Sequence, residues 1–199
     1  MRLRRNAMAE DPFQQFDDWY RTWRELTDGD PTAMTLATAS ASGEPSARVV
    51  LLKGWSPEGF LFFTNRESRK GRDMAENPRA ALCFHWPDCG RQVRVRGTIT
   101  EVDREVSREY FHSRPRGSQL GAMVSRQSLP LARYEDLATA LREARQAMDG
   151  QEIPLPEHWG GYRLTPREIE FWQNGQDRLH DRFLYSMGSG GWALQRLNP

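Results

Sequence analysis

Turn signals recur along this chain at intervals that leave room only for short strands, and this spacing most constrains the fold. Residues 42–45 (Ser-Gly-Glu-Pro) and 56–59 (Ser-Pro-Glu-Gly) are rich in residues that favour turns. Between them lies the apolar run 48–53, and a second apolar run, 60–64, follows. Strands this close in sequence pair in antiparallel fashion, so the pattern predicts an antiparallel sheet or barrel.

Helices and further strands surround this core pattern, which makes the fold class α+β. Asp11-Pro12 is a helix start, with an N-cap and a proline at the first helical position. The helical stripe that follows is expected to face the core. Its members are Phe13, Phe16, Tyr20 and Trp23. Other helices are predicted at 68–77, 102–113, 118–124 and around 137–148, and other strands at 33–40, 79–86, 91–101, 161–164, 178–185 and 192–197.

The length and charge of the chain limit what it can bind. With 199 residues it suits one domain, assigned to 11–199 behind a flexible arm at 1–10. A net charge of +1 argues against bulk nucleic-acid binding, which usually needs a basic excess. Positive charge is instead local, which indicates small anions. Neither a signal peptide nor a run of transmembrane length is evident, and the cytoplasm is the expected location.

The two cysteines, Cys83 and Cys89, do not define a disulfide framework. Together with His85 they resemble part of a metal site, but zinc usually needs four ligands, or three with an open position, at recognisable spacing. We therefore interpret Cys83 as a strand cysteine and Cys89 as a loop cysteine, and expect no metal.

A first anion site is predicted where the second helix begins. Ser68-Arg69-Lys70 puts two cations at a helix N-terminus, whose partial positive charge makes them locally unfavourable. An anion removes this conflict, because backbone N–H groups and both side chains then converge on it. The alternative is that both side chains extend into water. Arg48 and Thr64 lie in neighbouring predicted strands and favour the anion.

Arg48 and Lys53 pose a question about strand geometry. They are five residues apart, so in a regular strand they face opposite ways. Either a bulge redirects one of them, or the two side chains contact different parts of a ligand. The sequence leaves both alternatives open.

A second anion site is predicted in the helical middle of the chain. Tyr110 and Arg114 are four residues apart and share a helix face, while Pro115 ends that helix. Ser118 then opens the next helix. The hydroxyl, guanidinium and helix start form a candidate phosphate cradle, although a Tyr–Arg packing pair with a serine cap is the alternative. Gln127-Ser128 adds polar groups nearby.

The C-terminal part combines Glu170-Phe171-Trp172-Gln173 with Arg178-Leu179-His180-Asp181-Arg182. If the second segment forms a strand, Arg178, His180 and Arg182 share one face. Three such groups repel one another unless an anion lies across them, and arginine forks suit phosphate or carboxylate. Beside a tryptophan, this triple favours a ligand site over a solvated strand face.

These motifs occur together in an order and spacing that resemble the pyridoxamine/pyridoxine 5′-phosphate oxidase family, over about Asp11 to Pro199. Each motif is short and unspecific by itself, whereas the ordered set is highly specific. The matching segments are 48–53 (RVVLLK), 63–65 (FTN), 68–70 (SRK), 91–93 (RQV), 110–115 (YFHSRP), 118–122 (SQLGA), 125–128 (SRQS), 171–173 (FWQ) and 178–183 (RLHDRF).

The resemblance implies an antiparallel split β-barrel with flanking helices and a homodimer with FMN at the subunit interface. The implied activity is FMN-dependent oxidation of pyridoxamine or pyridoxine 5′-phosphate to pyridoxal 5′-phosphate, with dioxygen as acceptor and hydrogen peroxide as product. Positions carried over to FMN are Arg48, Val49, Val50, Leu51, Leu52, Lys53, Phe63, Thr64, Arg69, Lys70, Gln92, Gln127, Ser128, Trp172 and Arg182. Those carried over to the substrate are Lys53, Tyr110, Arg114, Ser118, Arg178, Leu179 and His180, with Arg178 and His180 as catalytic residues.

Three features depart from the family pattern. Phe63 stands where relatives often have tyrosine, Met123 where they often have tryptophan, and little sequence precedes Asp11. Three other functions are weighed against the implied one: a related oxidase of phenazine synthesis, a non-catalytic flavin-binding protein and a nucleic-acid binder. The motif at 110–115 argues against the first, Arg178 with His180 against the second, and the charge against the third.

Overall fold

In the computed structural model, which describes residues 2–199, most of the chain is organised around one nine-stranded antiparallel sheet. Each predicted strand is present, although several begin or end at other residues than predicted, and a short additional one, β3, follows β2. The strands are β1 (Ala33–Ala39), β2 (Pro45–Leu51), β3 (Gly54–Ser56), β4 (Gly59–Asn65), β5 (Arg79–Trp86), β6 (Arg91–Glu101), β7 (Trp159–Gln173), β8 (Asp181–Gly188) and β9 (Gly191–Leu197).

The sheet divides at its longest strand. Its order is β2-β1-β5-β6-β7-β4-β3, and β8 and β9 extend from β7. The first half of β7 pairs with β4, from Trp159 to Leu164, whereas its second half pairs with β8, from Glu168 to Gln173. One strand thus serves two sub-sheets, which is the split in the fold.

The length of β7 differs from the sequence prediction, which placed a strand only at 161–164. Pro166 explains the difference, because a proline normally excludes a central strand. In the structure Pro166 lies opposite Gly97, beside a register shift between Arg96 and Gly97. A bulge is the place where a missing N–H is tolerated, so the strand continues through the proline.

The predicted strand at 178–185 is wrong at its beginning. Residues Gln176–Arg178 form a single 3-10 turn, with φ of 54° at Asp177 and 61° at Arg178, and β8 begins only at Asp181. The reason is that the pairing between β7 and β8 ends at Gln173 of β7 and Asp181 of β8. Residues 174–180 must reverse the chain between them, so Arg178 and His180 do not alternate with Arg182 along a strand.

Residues 2–199 contain five α-helices, at Pro12–Leu26 (α1), Arg69–Glu76 (α2), Arg104–Ser113 (α3), Arg116–Val124 (α4) and Tyr134–Ala147 (α5). The start of α1 is as predicted, because the Asp11 carboxylate accepts a hydrogen bond of 2.9 Å from the Phe13 N–H. The predicted apolar stripe of α1 is buried, with Phe16 fully so. Phe16 contacts the rings of Phe60 and Phe84, each with centroids 5.0 Å away, which fixes α1 on the sheet.

A second, smaller core lies between the helices and the start of β7. Its buried members are Phe111, Leu120, Ala144, Ile153 and Trp159. This core holds α3, α4 and α5 together as a helical layer beside the sheet. The candidate functional side chains of α3 and α4 are positioned by this layer.

The segment before α1 follows the sheet edge formed by β8 and β9. The Leu3 N–H donates to Asp181 Oδ2 at 2.7 Å, and the Tyr185 hydroxyl donates to the Ala9 carbonyl at 2.6 Å. Met8 is buried in the main core. Met1 of the predicted arm lies outside the described residues, and the division into an arm at 1–10 and a domain at 11–199 stays a prediction.

Candidate active site

A cavity of about 800 Å³ lies between the sheet and the helical layer. Four of its lining residues are cations and, among residues 2–199, no aspartate or glutamate lines it. Twelve residues of the predicted site lie around it: Arg48, Val49, Val50, Leu51, Lys53, Phe63, Thr64, Lys70, Tyr110, Arg114, Ser118 and Gln127. A concave site with convergent cations and no acid is suited to an anionic ligand.

Lys70 is the most deeply placed of these cations. Its side chain is buried, and its ammonium donates to Gln127 Oε1 at 2.7 Å and to Ser68 Oγ at 3.2 Å. Burial, and then the nearby charge of Arg48, lower the pKa of Lys70 to about 8. Its hydrogen-bond acceptors are neutral, so its charge has no counter-ion in the cavity wall. A bound anion would supply one.

Arg48 is held at the cavity wall by the sheet. Its Nη1 donates to the Leu36 carbonyl at 3.1 Å and to Thr38 Oγ1 at 2.8 Å, and its Nη2 lies 3.9 Å from Asp73 Oδ2. Burial lowers the pKa of Arg48, an effect that the Asp73 carboxylate opposes. Arg48 is therefore a rigid cation next to Lys70.

The structure resolves how Arg48 and Lys53 reach the same cavity. Strand β2 ends at Leu51, before Lys53, and Leu52 turns into the main core. The Lys53 N–H then donates to the Leu61 carbonyl at 2.8 Å. Because the strand ends between them, the alternation that separates residues five apart no longer applies.

Arg69 does not accompany Lys70 into the cavity. Its guanidinium is half-exposed and pairs with Asp73 at 3.2 Å and with Glu44 at 3.3 Å. The Ser68 hydroxyl accepts from the Gly71 N–H and caps α2. Of the two cations predicted to converge on one anion, Lys70 lines the cavity and Arg69 does not. The role of Arg69 in cofactor binding stays a prediction.

Three aromatic rings form a nearly parallel group at the other side of the cavity. Phe63 stacks on Tyr110 with centroids 4.2 Å apart and on Trp159 with centroids 5.4 Å apart. The Lys53 ammonium lies 5.8 Å from the centre of the Tyr110 ring. The Arg114 guanidinium lies 5.0 Å from the centre of the Trp159 ring. These contacts bring Lys53, Tyr110 and Arg114 together, as the second predicted anion site requires.

Six lining residues were missed by sequence reasoning: Asn65, Pro115, Gly121, Ala122, Ser125 and Trp159. Trp159 had a detectable signal, because Gly160 and Gly161 follow it directly. A Cβ on Gly161 would lie 2.6 Å from the Phe63 ring, so glycine is needed for this close approach. A tryptophan before two glycines at a strand start indicates close packing of rings against backbone.

Most of the other predicted residues lie in a second group, at the ends of β6, β7 and β8. Gln92, Trp172 and Arg182 are neighbours across the three strands. The rings of Trp172 and His180 have centroids 4.6 Å apart. We call this set, together with Arg178 and Leu179, the turn cluster. None of the members of the turn cluster lines the cavity. Within one described chain, the cavity residues and the turn cluster therefore do not form a single site.

Within the turn cluster, His180 and Arg182 are oriented by neighbours. Nδ1 of His180 lies 3.2 Å from the Gly175 N–H, which donates to it, so the neutral ring carries its proton on Nε2. Arg182 Nε donates to Glu170 at 2.8 Å, and this hydrogen bond raises the pKa of Arg182. Arg178 and Leu179 are exposed.

Two predicted cofactor residues lie near the cavity without lining it. Leu52 is buried in the main core, and its N–H donates to the Thr32 carbonyl at 2.8 Å. Ser128 follows Gln127 with a φ of 72°, a left-handed conformation that is unusual for serine. Their roles stay predictions.

Residues 2–199 contain no cluster of three or more His, Cys, Asp or Glu side chains arranged to hold a metal ion. Both cysteines are free thiols. Within the same residues, no helix combines the length and the apolar character that crossing a membrane requires.

Comparison with known proteins identifies the family. A model described as pyridoxamine 5′-phosphate oxidase matches residues 21–147, and one described as the pyridoxine 5′-phosphate oxidase C-terminal dimerisation region matches 159–199. The pyridoxine/pyridoxamine 5′-phosphate oxidase of Bordetella petrii is 50% identical over 99% of this chain and 93% of its own. That of Hydrogenovibrio crunogenus is 47% identical over 99% of this chain and 92% of its own.

Solved structures agree with the fold. PhzG from Burkholderia lata, in complex with tetrahydrophenazine-1-carboxylic acid, has a TM-score of 0.91 at 29% identity, over 96% of this chain and 94% of its own. A pyridoxamine 5′-phosphate oxidase-related, FMN binding protein from Nostoc punctiforme has a TM-score of 0.76 at 17% identity, over 96% and 100%. The fold is therefore the predicted split barrel with flanking helices. By sequence over nearly its full length, the chain belongs to the pyridoxine/pyridoxamine 5′-phosphate oxidase family.

Proposed function

We propose that this protein oxidises pyridoxine 5′-phosphate and pyridoxamine 5′-phosphate to pyridoxal 5′-phosphate, with FMN as cofactor and dioxygen as acceptor. The observation that carries the proposal is the cavity with four cations and no acidic lining residue among residues 2–199. The cations form two groups, Arg48 with Lys70 and Lys53 with Arg114. Two phosphate esters, one on the cofactor and one on the substrate, match two such groups.

The residues around Lys70 fit the phosphate of FMN. Lys70 is buried with a lowered pKa and Arg48 is fixed beside it, so an anion at this point relieves the repulsion between them. Thr64 and Gln127 add neutral hydrogen-bonding groups, 3.5 Å from each other. When bound, FMN supplies the hydride acceptor and the means of reducing dioxygen.

The second cation group would hold the substrate. Tyr110, Arg114 and Ser118 line the cavity from α3, its C-cap and α4, and the Lys53 ammonium lies 5.8 Å from the centre of the Tyr110 ring. The buried Nη1 of Arg114 has no hydrogen-bond partner in the described chain, which is the state expected of a donor reserved for a ligand. Clamping the phosphate fixes the distance between the C4′ carbon and the cofactor, which is a proximity contribution to the rate.

We infer that the site is completed by a second copy of the chain, as a homodimer. The turn cluster carries Arg178 and His180 but lies outside the cavity, so a second protomer is the simplest source of these groups. Val49 is 66% exposed beside the cavity, and Leu179 is 66% exposed in the turn cluster. Apolar side chains exposed at both places are suited to burial between protomers.

Arg178 and His180 would act at the substrate ring. His180 holds its proton on Nε2 while Nδ1 is engaged by Gly175, so it can donate to a hydroxyl oxygen on the substrate ring. Arg178 adds a permanent positive charge. Each turnover transfers two hydrogens from the substrate to dioxygen and yields hydrogen peroxide. The amine substrate also consumes one water and releases ammonia.

An anaerobic experiment tests the proposal. The purified protein should be yellow, and pyridoxine 5′-phosphate should bleach it without oxygen and form one pyridoxal 5′-phosphate per FMN. Readmitted air should restore the colour and yield one hydrogen peroxide per reduced FMN. Tetrahydrophenazine-1-carboxylic acid, found in the PhzG complex, is the comparison compound. Bleaching by this compound alone would assign the protein to a different oxidase reaction, and a colourless protein that does not bind FMN would overturn the proposal.

The cytoplasmic location stays a prediction.

A further inference from the structure

Arg114 is held in the cavity without an acidic partner. No carboxylate among residues 2–199 forms an ion pair with it, and its Nη1 is buried without a hydrogen bond. Burial lowers the pKa of Arg114. A partly buried guanidinium with unused donors needs another interaction that keeps it in place.

The Trp159 ring supplies that interaction. The Arg114 guanidinium carbon lies 5.0 Å from the centre of this ring, and 5.8 Å from that of Phe111. Trp159 is itself fixed, because it is 6% exposed and its ring stacks on Phe63 with an interplanar angle of 8°. Arg104 Nη1 donates to the Trp159 carbonyl at 2.6 Å and anchors its backbone.

An aromatic face differs from a carboxylate in a way that matters for anion binding. A carboxylate would fix the guanidinium but would also occupy its N–H donors and cancel its charge. A ring attracts the cation through its quadrupole and leaves the in-plane N–H groups free. The guanidinium thus keeps both its charge and its donors for an incoming phosphate.

We propose that Trp159 is a positioning residue for substrate phosphate, acting through Arg114. This inference deepens the proposed function and rests on it. Its alternative is that Trp159 only fills the helical core, where it touches Phe111 with centroids 5.3 Å apart. The two roles differ in whether loss of the ring affects phosphate recognition or only stability.

The first test compares binding of pyridoxal 5′-phosphate and of pyridoxal, which lacks the phosphate, to the FMN-loaded protein by calorimetry. Trp159→Leu should raise the Kd for the phosphate ester about 3- to 30-fold, the range of a cation–π contact, and leave pyridoxal unaffected. Trp159→Phe retains a ring face and should restore most of the affinity. Equal losses for both ligands, or no loss, would overturn the inference.

The chain provides a matched control. Trp19 is 4% exposed and also lies under a guanidinium, that of Arg91, at 4.4 Å, but neither residue lines the cavity. Trp19→Leu should lower the unfolding midpoint in the way that any lost core tryptophan does, and keep the ratio of phosphate to non-phosphate affinity. A change of that ratio in Trp19→Leu would assign the effect to stability and contradict the inference.

A double-mutant cycle tests the route through Arg114. If Trp159 acts only by placing this guanidinium, then Trp159→Leu adds no further loss of phosphate affinity in the Arg114→Ala background. Independent, multiplying losses would show that Trp159 does not act through Arg114.

If the leucine variant does not fold, fluorinated tryptophan can replace tryptophan throughout the chain, with Trp159→Phe as the background that isolates position 159. Electron withdrawal weakens the ring quadrupole without changing its shape, so phosphate affinity should fall in the wild-type sequence and change less in Trp159→Phe. Identical changes in both would contradict the inference. Binding is measured at equilibrium, so a protein that binds the ester but does not oxidise it would refute the proposed function and leave the role of Trp159 standing.

Discussion

The ammonium of Lys70, on α2, donates a 2.7 Å hydrogen bond to Oε1 of Gln127, a residue 57 positions further along the chain. This hydrogen bond joins α2 to the segment that follows α4 and places a buried cation in the cavity wall. Because the acceptor is neutral, the lysine charge remains available to an anion. We therefore expect the proton on Lys70 to link FMN binding to pH.

The affinity for FMN should fall as the pH rises above about 8. The pKa of Lys70 is lowered to about 8 without the anion, so below this value the protonated, binding form is already present. Above it, binding must take up a proton, and the Kd should rise by up to roughly tenfold per pH unit until the pKa of the complex is reached. Fluorescence quenching of FMN between pH 7 and 10 measures this dependence.

Lys70→Met is the test variant and Lys53→Met the control. Without the Lys70 ammonium, FMN should bind at least about tenfold more weakly, with most of the pH dependence gone. Lys53 is exposed and belongs to the other cation group, so its variant should keep the pH profile. A profile that survives in Lys70→Met would show that another group carries the proton.

Arg114→Ala should impair recognition of the phosphate on the substrate. Removing a charge-assisted donor pair should raise KM for pyridoxine 5′-phosphate roughly 10- to 100-fold, with a smaller change in kcat at saturation. Steady-state peroxide production gives both constants. Arg108→Ala on α3, the helix that ends directly before Arg114, is the control, because Arg108 pairs with Glu105 on the surface and should leave KM unchanged. An unchanged KM in Arg114→Ala would remove this residue from the phosphate site.

Arg178→Ala should lower turnover more than cofactor retention. Arg178 is exposed at the tip of the turn between β7 and β8, and we expect kcat to fall about 100-fold while the Kd for FMN changes less than about threefold. Arg182→Ala should show the opposite order, because Arg182 is assigned to FMN and is held by Glu170. Equal losses of turnover and FMN in Arg178→Ala would refute this division of roles.

Leu51→Glu should dissociate the dimer. Leu51 is 39% exposed at the end of an edge strand beside the cavity, and a buried charge there would oppose contact with an apolar partner surface. Sedimentation should then report monomers, and FMN should be lost in parallel. Leu26→Glu is the control, since Leu26 is 56% exposed at the end of α1, away from the cavity lining. Monomeric Leu51→Glu that still binds FMN fully would contradict a shared site.

Sequence reasoning predicts elements well where local chemistry determines them. The Asp11 cap, the buried stripe of α1 and the start of α2 beside Ser68 are all confirmed. Sequence reasoning is wrong where pairing with a strand far along the chain determines where a strand begins or continues. Strand β7 passes through Pro166 only because the facing strand shifts register there. Strand β8 begins at Asp181 because Gln173 is its last partner on β7.

The same distinction applies to the candidate site. Arg69 and Lys70 are adjacent and look equivalent in sequence. In the structure Arg69 pairs with Asp73 and Glu44 outside the cavity, whereas Lys70 is buried at the cavity wall. Trp159 was missed because its importance depends on Phe63 and Arg114, which lie far from it along the chain. The separation of the cavity from the turn cluster is a property of the folded chain that no motif spacing reveals.

The central claim is that cation groups of one protomer and the turn cluster of another form one catalytic site. Mixing two inactive variants tests it most directly. One carries Lys70→Met and Arg114→Ala, and the other carries Arg178→Ala and His180→Ala.

The two chains should be co-expressed, and oxidation of pyridoxine 5′-phosphate should be compared with that of each variant alone. If each site combines residues of both protomers, every mixed dimer has one intact site, and random pairing should restore about a quarter of the wild-type activity. If the mixture is no more active than its parents although mixed dimers form, each site lies within one chain and the claim is wrong.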